Sequence, residues 1–389
     1  MRLETLAVHS GVYQDKTFNS VTTPIYPSST FAFDALGKHR GFDYTRSGNP
    51  TRAALEENLA ALEGGRVALA TATGMAAVST VTLLLDSGDE IIAGRDIYGG
   101  TYRLFDQTLP RLGIRVKFVD MGDLDAVAAA ITDRTKMLWI ETPSNPLLNI
   151  TDIAAVATLA KKHGLLTVAD NTFLSPMNQR PLELGVDLVL HSTTKYLNGH
   201  SDVVGGAVIA DDATLGARVR DLGNALGTAC SPFDAFLVLR GLKTLPQRMA
   251  AHEANATQLV AWLTQHPRVS KVYFTGLDTH TQRDLIARQQ KGHGGMMAFE
   301  IDAPPEKLDD FFAAMQVFIL AESLGGVESL IEHPWSMSHA SMGEHGLAAS
   351  GITPQTIRVS VGLEHADDLI EDLERGFAAV AEPAAMTAS

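Results

Sequence analysis

The sequence predicts an α/β protein built on a mostly parallel sheet covered on both faces, followed by a smaller C-terminal α+β part. Three observations carry this. Short apolar runs alternate with helical patterns from residue 67 onward, and polar residues follow several of those runs immediately. Near residue 234 the alternation gives way to long helical stretches. A length of 389 residues suits two or three domains at ~150 residues each. With 45% hydrophobic and 20% charged residues, the chain reads as folded and not disordered.

The elements follow in order. Residues 1–47 have weak periodicity and turn formers such as Pro24, Pro27 and Gly41, and read as an N-terminal arm. Asn49-Pro50-Thr51 is a helix start, a capping side chain followed by proline, with Leu55, Leu59 and Leu62 on one face and Gly64-Gly65 as the stop. Apolar runs at 67–70, 90–93, 116–119, 137–140, 165–169, 186–190 and 204–209 read as buried strands, with helices at 124–131 and 153–163 between them. A single long helical stretch is expected from 234 past His252 to Trp262, and further helices at 305–315 and 366–381. This places the arm at 1–47, an α/β domain at 48–243 and an α+β domain at 244–389.

Composition excludes several classes. Lys and Arg number 31 against 45 Asp and Glu, a net charge of −14 with no offsetting basic cluster, so nucleic acid is not an expected partner. One cysteine, Cys230, excludes an internal disulfide and a multi-cysteine metal cage, and fits the cytoplasm. The first eleven residues lack the apolar core of a secretory signal. The uncharged stretch 67–85 is broken by Gly74, Ser79 and four threonines, where a membrane span needs ~20 mostly apolar residues. There is no H-E-x-x-H, G-x-G-x-x-G or Walker lysine motif, so metal hydrolase, dinucleotide and nucleotide triphosphate readings lose their main support.

Ligands of an open parallel sheet bind beyond the carboxyl ends of its strands. The residues at those positions are Thr71–Met75, Glu141–Asn145, Asp170–Asn171 and His191–Lys195, so polar groups converge from four strands. Lys195 is either a surface lysine or a Schiff-base lysine whose amine requires desolvation. Asp170 either caps and pairs locally or holds a heterocyclic nitrogen protonated. Gly74 stands where a strand becomes a helix, which serves either the turn alone or an anion at the helix start.

Seven motifs in order resolve these alternatives: Y-T-R-S-G-N-P-T (44–51), Y-G-G-T-Y-R (98–103), E-T-P-S-N-P (141–146), A-D-N-T (169–172), S-T-T-K-Y (192–196), E-S-L-G-G-V-E-S-L (322–330) and R-V-S-V-G-L-E (358–364). From about residue 5 to 379 the chain resembles the Cys/Met-metabolism enzymes that use pyridoxal 5'-phosphate, the cystathionine γ-synthase and γ-lyase group. The resemblance implies a type I (aspartate aminotransferase-like) PLP-dependent transferase fold. It also implies small amino-acid substrates and a homotetramer, a dimer of dimers with sites shared across the dimer.

Residue roles come from the same resemblance. Lys195 matches the lysine that carries the cofactor and moves protons, Asp170 the partner of the ring nitrogen, and Tyr98 the tyrosine stacked on the ring. Gly74, Met75, Ser192 and Thr194 match the phosphate-binding set, while Tyr44 and Arg46 match the pair that reaches a neighbouring subunit's phosphate. Arg358 matches the arginine for the substrate α-carboxylate, helped by Asn145 and Ser323; the Glu141 carboxylate is read only as support for the loop through Pro143 and Pro146. Methionine γ-lyases usually have cysteine where Gly100 stands. Glu328 and Arg103 are shared by γ-synthases and γ-lyases, and Asp43 follows the synthase pattern. The three suggest a distal pocket for a charged amino-acid tail, hence γ-replacement on an O-acylhomoserine by cysteine, with cystathionine γ-lyase activity as the alternative.

Overall fold

A computed structural model describes residues 1–12 and 15–380. Seven strands form the first sheet: β1 (Val67–Thr71), β2 (Glu90–Gly94), β3 (Arg115–Val119), β4 (Thr135–Glu141), β5 (Leu166–Asp170), β6 (Leu188–His191) and β7 (Gly206–Ala210). Their spatial order is β1-β7-β6-β5-β4-β2-β3. All neighbours are parallel except β7, which runs antiparallel between β1 and β6. The apolar runs of the sequence thus become strands with ends moved by one or two residues.

Why these runs lack polar alternation is visible in the packing. On β4, Leu138 and Ile140 enter one apolar layer with Leu55, Leu59 and Val156, while Met137 and Trp139 enter another with Val78, Val81 and Phe105. Both faces are covered, so both sets of alternate side chains are apolar.

A second sheet, in the order β10-β11-β12-β9-β8, is formed by β8 (Val269–Tyr273), β9 (Met296–Ile301), β10 (Ile319–Leu320), β11 (Leu330–Glu332) and β12 (Thr356–Ser360). Its core side packs Phe299, Ile357 and Val359 against Leu259 and Leu263 of one helix and Leu369, Leu373 and Phe377 of another. Period-2 alternation on β12 then turns Arg358, between Ile357 and Val359, to the opposite face.

Three element expectations change. The stretch expected as one helix is two, Pro232–Leu242 and Leu245–Leu263. Pro246 lies in the first turn of the second; it has no N–H to donate and its ring clashes with a continuing helix. The segment expected at 305–315 is a 3₁₀ turn, Pro305–Lys307, followed by a short helix, Leu308–Ala313. The arm contains a seven-residue helix, Leu3–His9, anchored by the buried Ala7. The last helix is described as Ala366–Ala379, and residue 381, where its end was expected, lies outside the described residues. No described helix is long and apolar enough to cross a membrane.

One close approach positions the site. A Cβ on Gly206, opposite Thr71 in the β1–β7 register, would come within 2.4 Å of the Thr73 carbonyl oxygen and 2.8 Å of the Gly74 Cα. Gly206→Ala is therefore expected to cost about 1–3 kcal/mol of stability and to displace the start of the Gly74–Thr82 helix. Urea unfolding of cofactor-free protein, beside cofactor retention of the loaded protein, measures both effects.

Candidate active site

The site is a cavity of about 290 Å³ beyond the carboxyl ends of β1, β4, β5 and β6, closed on its far side by the second sheet. Gly74, Met75, Tyr98, Asn145, Asp170, Ser192, Thr194, Lys195, Ser323 and Arg358 all line it. These are ten of the residues singled out from the sequence, brought together from segments up to 284 positions apart (358 minus 74).

At one end, Thr73 caps the Gly74–Thr82 helix, its side chain accepting from the Ala76 N–H at 2.9 Å. That leaves the first helical N–H groups, at Gly74 and Met75, without intrahelical acceptors. A Cβ on Gly74 would lie 3.1 Å from the Ser192 Cβ and 3.2 Å from its Oγ, so glycine keeps this corner open. The Thr194 hydroxyl donates to the Gly205 carbonyl at 3.2 Å and accepts from the Gly205 N–H at 3.0 Å, which fixes the loop opposite. Helix-start N–H groups beside hydroxyls form a donor set suited to a phosphate.

Deeper in, Asp170 ends β5 and Glu141 ends β4, and the two are direct partners in the parallel register. The Thr172 hydroxyl donates to Asp170 Oδ1 at 2.5 Å, and the Thr172 N–H does so at 3.0 Å. Glu141 Oε2 accepts from the Tyr98 N–H at 2.8 Å. Burial raises the Asp170 carboxyl above its ordinary range. Burial, and then the neighbouring Asp170 charge, push Glu141 well above its own. Among the described residues neither carboxyl has a cation in ion-pair contact, and the ring nitrogen of a pyridine would supply one.

Lys195 lies between this end and the second sheet, its Nζ donating to the Ser323 Oγ at 2.7 Å. Burial, and next the Arg358 charge, push its amine down to about 8. Ser323 has φ 104°, a left-handed conformation costly for a residue with a Cβ. In that conformation its hydroxyl faces Lys195 while its carbonyl accepts from Arg358 Nη2 at 2.6 Å. Arg358 Nη1 donates to Asn145 Oδ1 at 3.1 Å. The remaining Arg358 partner is Glu332, with Nη1 and Oε1 3.0 Å apart and both side chains buried.

Glu332, Thr172 and Ser338 were not singled out from the sequence. Glu332 follows the apolar pair Leu330-Ile331 at a strand end, the same signal that exposed Asp170, but in the second sheet. Tyr44, Arg46, Asp43, Glu328 and Arg103 do not line the cavity of their own chain. Arg46 Nη1 instead donates to the Asn224 carbonyl at 2.8 Å, and Asp43 Oδ1 accepts from the Tyr44 N–H and the Ser47 hydroxyl. Glu328 accepts from the Ser201 hydroxyl. Arg103 is exposed at the end of the Gly99–Arg103 helix, within electrostatic reach of the Tyr98 phenol. The distal pocket expected from Asp43, Arg103 and Glu328 is therefore not assembled within one chain.

Other nucleophile and metal readings find no support among the described residues. No group of three His, Cys, Asp or Glu side chains could hold a metal ion. The buried Cys230 thiol is pushed up to about 12 by burial, far from a reactive thiolate.

The family model described as Cys/Met metabolism PLP-dependent enzyme matches residues 4–378. A cystathionine β-lyase of Coxiella burnetii is 48% identical over 96% of this chain and 97% of its own length. The crystal structure of cystathionine γ-synthase from Xanthomonas oryzae pv. oryzae in complex with cystathionine is 50% identical, with a TM-score of 0.96 and 98% of both chains covered. That of cystathionine γ-lyase from Lactobacillus plantarum complexed with L-serine is 46% identical, with a TM-score of 0.95 over 98% of this chain and 99% of the other. The chain belongs to the Cys/Met metabolism PLP-dependent enzymes, has their type I fold, and is a C–S bond-forming or C–S bond-cleaving enzyme that uses pyridoxal phosphate.

An amine titrating at about 8 is half neutral at a pH where ordinary lysines are almost wholly protonated. In cofactor-free protein, Lys195 is expected to be labelled by an amine-directed reagent with a midpoint at about pH 8. Labelling rises as the proton is lost. Peptide mass spectrometry across pH 6–11 checks it, and a midpoint at the ordinary lysine value would contradict the desolvated environment.

Proposed function

We propose that this enzyme catalyses γ-replacement, joining L-cysteine to the γ carbon of an O-acylhomoserine to give L-cystathionine. The observation that carries this reading is a single cavity in which Ser323 bridges the Lys195 amine and the Arg358 guanidinium. A proton-moving group thereby sits one residue's length from a carboxylate-binding group, as reaction at the side chain of an α-amino acid requires.

Gly74, Met75, Ser192 and Thr194 would hold the phosphate of pyridoxal phosphate, Lys195 its aldehyde carbon, Asp170 its ring nitrogen and Tyr98 the face of the ring. When bound, the cofactor supplies an electron sink for the pair left as protons leave the substrate carbons. The Arg358 donors fix the α-carboxylate, and with it the direction of the Cα–H bond. The Lys195 amine takes the Cα proton and carries protons between Cα and Cβ, and a desolvated amine is suited to this near neutral pH. The C–O bond at Cγ breaks with loss of the acid, and the cysteine sulfur forms the new bond there as its proton passes to solvent. Tyr98, partly buried with its phenol pKa raised, stays protonated and able to donate to the leaving oxygen.

Two details support a synthase or lyase acting on a long substrate over methionine γ-lyase activity. A Cβ on Gly100 would meet the Tyr98 ring at 2.5 Å, so the present ring position has no room for cysteine there. Arg103 extends from the same short helix beside the cavity mouth. The γ-lyase reading rests on the same residues. Supplying O-succinyl- or O-acetylhomoserine with cysteine, and cystathionine alone in parallel, distinguishes them. Cystathionine is expected to form faster than it is cleaved. Faster release of 2-oxobutanoate would establish the γ-lyase, and faster release of pyruvate a β-lyase.

We further propose a homotetramer, a dimer of dimers, in which the arm completes a neighbour's cavity, and a cytoplasmic location. Tyr44 is 48% exposed and Arg46 is also at the surface, yet both belong to the motif that matches a phosphate-binding pair. Mixed Arg46→Ala and Lys195→Ala subunits should regain activity that neither parent has, because one of the two hybrid sites contains both native residues. No recovery after confirmed subunit exchange would remove the cross-subunit role.

A further inference from the structure

The donors of Arg358 can be accounted for one by one. Nη1 serves Glu332 Oε1 and Asn145 Oδ1, and Nη2 serves the Ser323 carbonyl. Nε is buried without a partner. A guanidinium has five donors, so the Nε–H and one Nη2–H remain for a ligand. Glu332 is built into this arrangement: it is the direct partner of Arg358 in the antiparallel β11–β12 register, it lines the cavity, and it is 1% exposed. Its Oε1 also accepts from the Ser338 hydroxyl at 2.5 Å, while its Oε2 is buried with no partner. The carboxylate is thus held through one oxygen by both Arg358 and Ser338, and is shielded from bulk solvent.

We infer that Glu332 is a specificity-determining residue, a counter-anion that holds Arg358 by Nη1 and lowers the site's affinity for any carboxylate lacking an adjacent ammonium group. The inference rests on the reading of Arg358 as the α-carboxylate site. An unpaired buried guanidinium would attract every small carboxylate, because charge interactions in a desolvated cavity are strong. With Glu332 beside it, an entering carboxylate meets a pair of zero net charge in place of a bare cation. An α-amino acid brings a compensating ammonium group, whereas a simple acid or a 2-oxo acid does not. The arrangement therefore favours amino-acid substrates and weakens retention of 2-oxo acids, the class of product formed when elimination occurs. Discrimination comes from the repulsive element as much as from the attractive one.

The test uses holoenzyme and propionate, a carboxylate without an amine, with binding read from the visible spectrum and from competitive inhibition. Glu332→Gln keeps an acceptor of the same shape and removes the charge. Propionate is expected to bind on the order of tenfold tighter while the substrate KM stays nearly unchanged; an equal gain for the substrate would overturn the inference. Glu332→Asp keeps the charge and is expected to keep propionate binding weak. Unchanged or weaker propionate binding in Glu332→Gln, the result of a purely anchoring role, overturns the inference. Should Glu332→Gln fail to fold, Ser338→Ala replaces it: losing the hydroxyl leaves the carboxylate to act on Arg358 undivided, so propionate should bind more weakly, and no change would overturn the inference. Arg358→Met separates the two levels. If it leaves propionate binding intact, the carboxylate-site reading fails and the inference with it; if it abolishes binding while Glu332→Gln changes nothing, only the inference fails.

Discussion

Burying the Arg358 guanidinium is the constraint on which the arrangement of the site depends. A charge removed from water is tolerated only when its donors find partners, and these come from three separated segments. Asn145 follows β4 of the first sheet, Ser323 precedes β11, and Glu332 ends β11. The bond to Asn145 thereby ties the second sheet to the tips of the first. Ser323 carries the junction, because its carbonyl meets Arg358 while its hydroxyl meets Lys195. Its left-handed φ is an unfavourable conformation sustained by those two contacts.

At the opposite end of the cavity the logic reverses. Asp170 and Glu141 are register partners without an ion-pair partner among the described residues, and their carboxyls are raised, not depressed. On the other face of the sheet, the buried His191 Nε2 lies 2.5 Å from Glu63 Oε1, and Asn171 donates to that oxygen at 2.9 Å. The residues after β5 and β6 thus alternate between a carboxylate facing the cavity and a polar network locking the strand ends from behind. A preorganised acid held on a rigid support needs little rearrangement when a ring nitrogen binds. The cavity joins two complementary features: buried carboxyls at one end, and guanidinium donors left over from the Glu332 pair at the other.

Much of this was legible in the sequence, for identifiable reasons. Fully buried strands read as continuous apolar runs, and parallel topology puts functional residues just after them, so Asp170 and Lys195 stood out by position alone. The motif order then supplied Tyr98, Asn145, Ser323 and Arg358. What stayed hidden was pairing. Nothing local in E-S-L-I-E indicates that Glu332 faces Arg358, since that follows from the antiparallel register of strands separated by a long connection. The break at Lys243-Thr244 was missed because Pro246 is compatible with the first turn of a new helix as well as with the end of an old one. Asp43, Tyr44 and Arg46 belong to a motif, yet a single chain gives them no place in its own cavity.

That last point bears on why one scaffold serves both making and breaking of C–S bonds among relatives of nearly equal similarity. Asp170 with Glu141 at one end and Arg358 with Glu332 at the other are fixed by strand register. Tyr98, which lines the cavity, is 45% exposed, and Arg103 lies at the surface. Both belong to a loop and short helix, surface segments that are free to vary without disturbing either fixed end. Overall identity mostly counts the buried sheets and so reports the family strongly. It weighs a few surface residues beside the cavity hardly at all, and relatives of nearly equal identity accordingly carry synthase and lyase names.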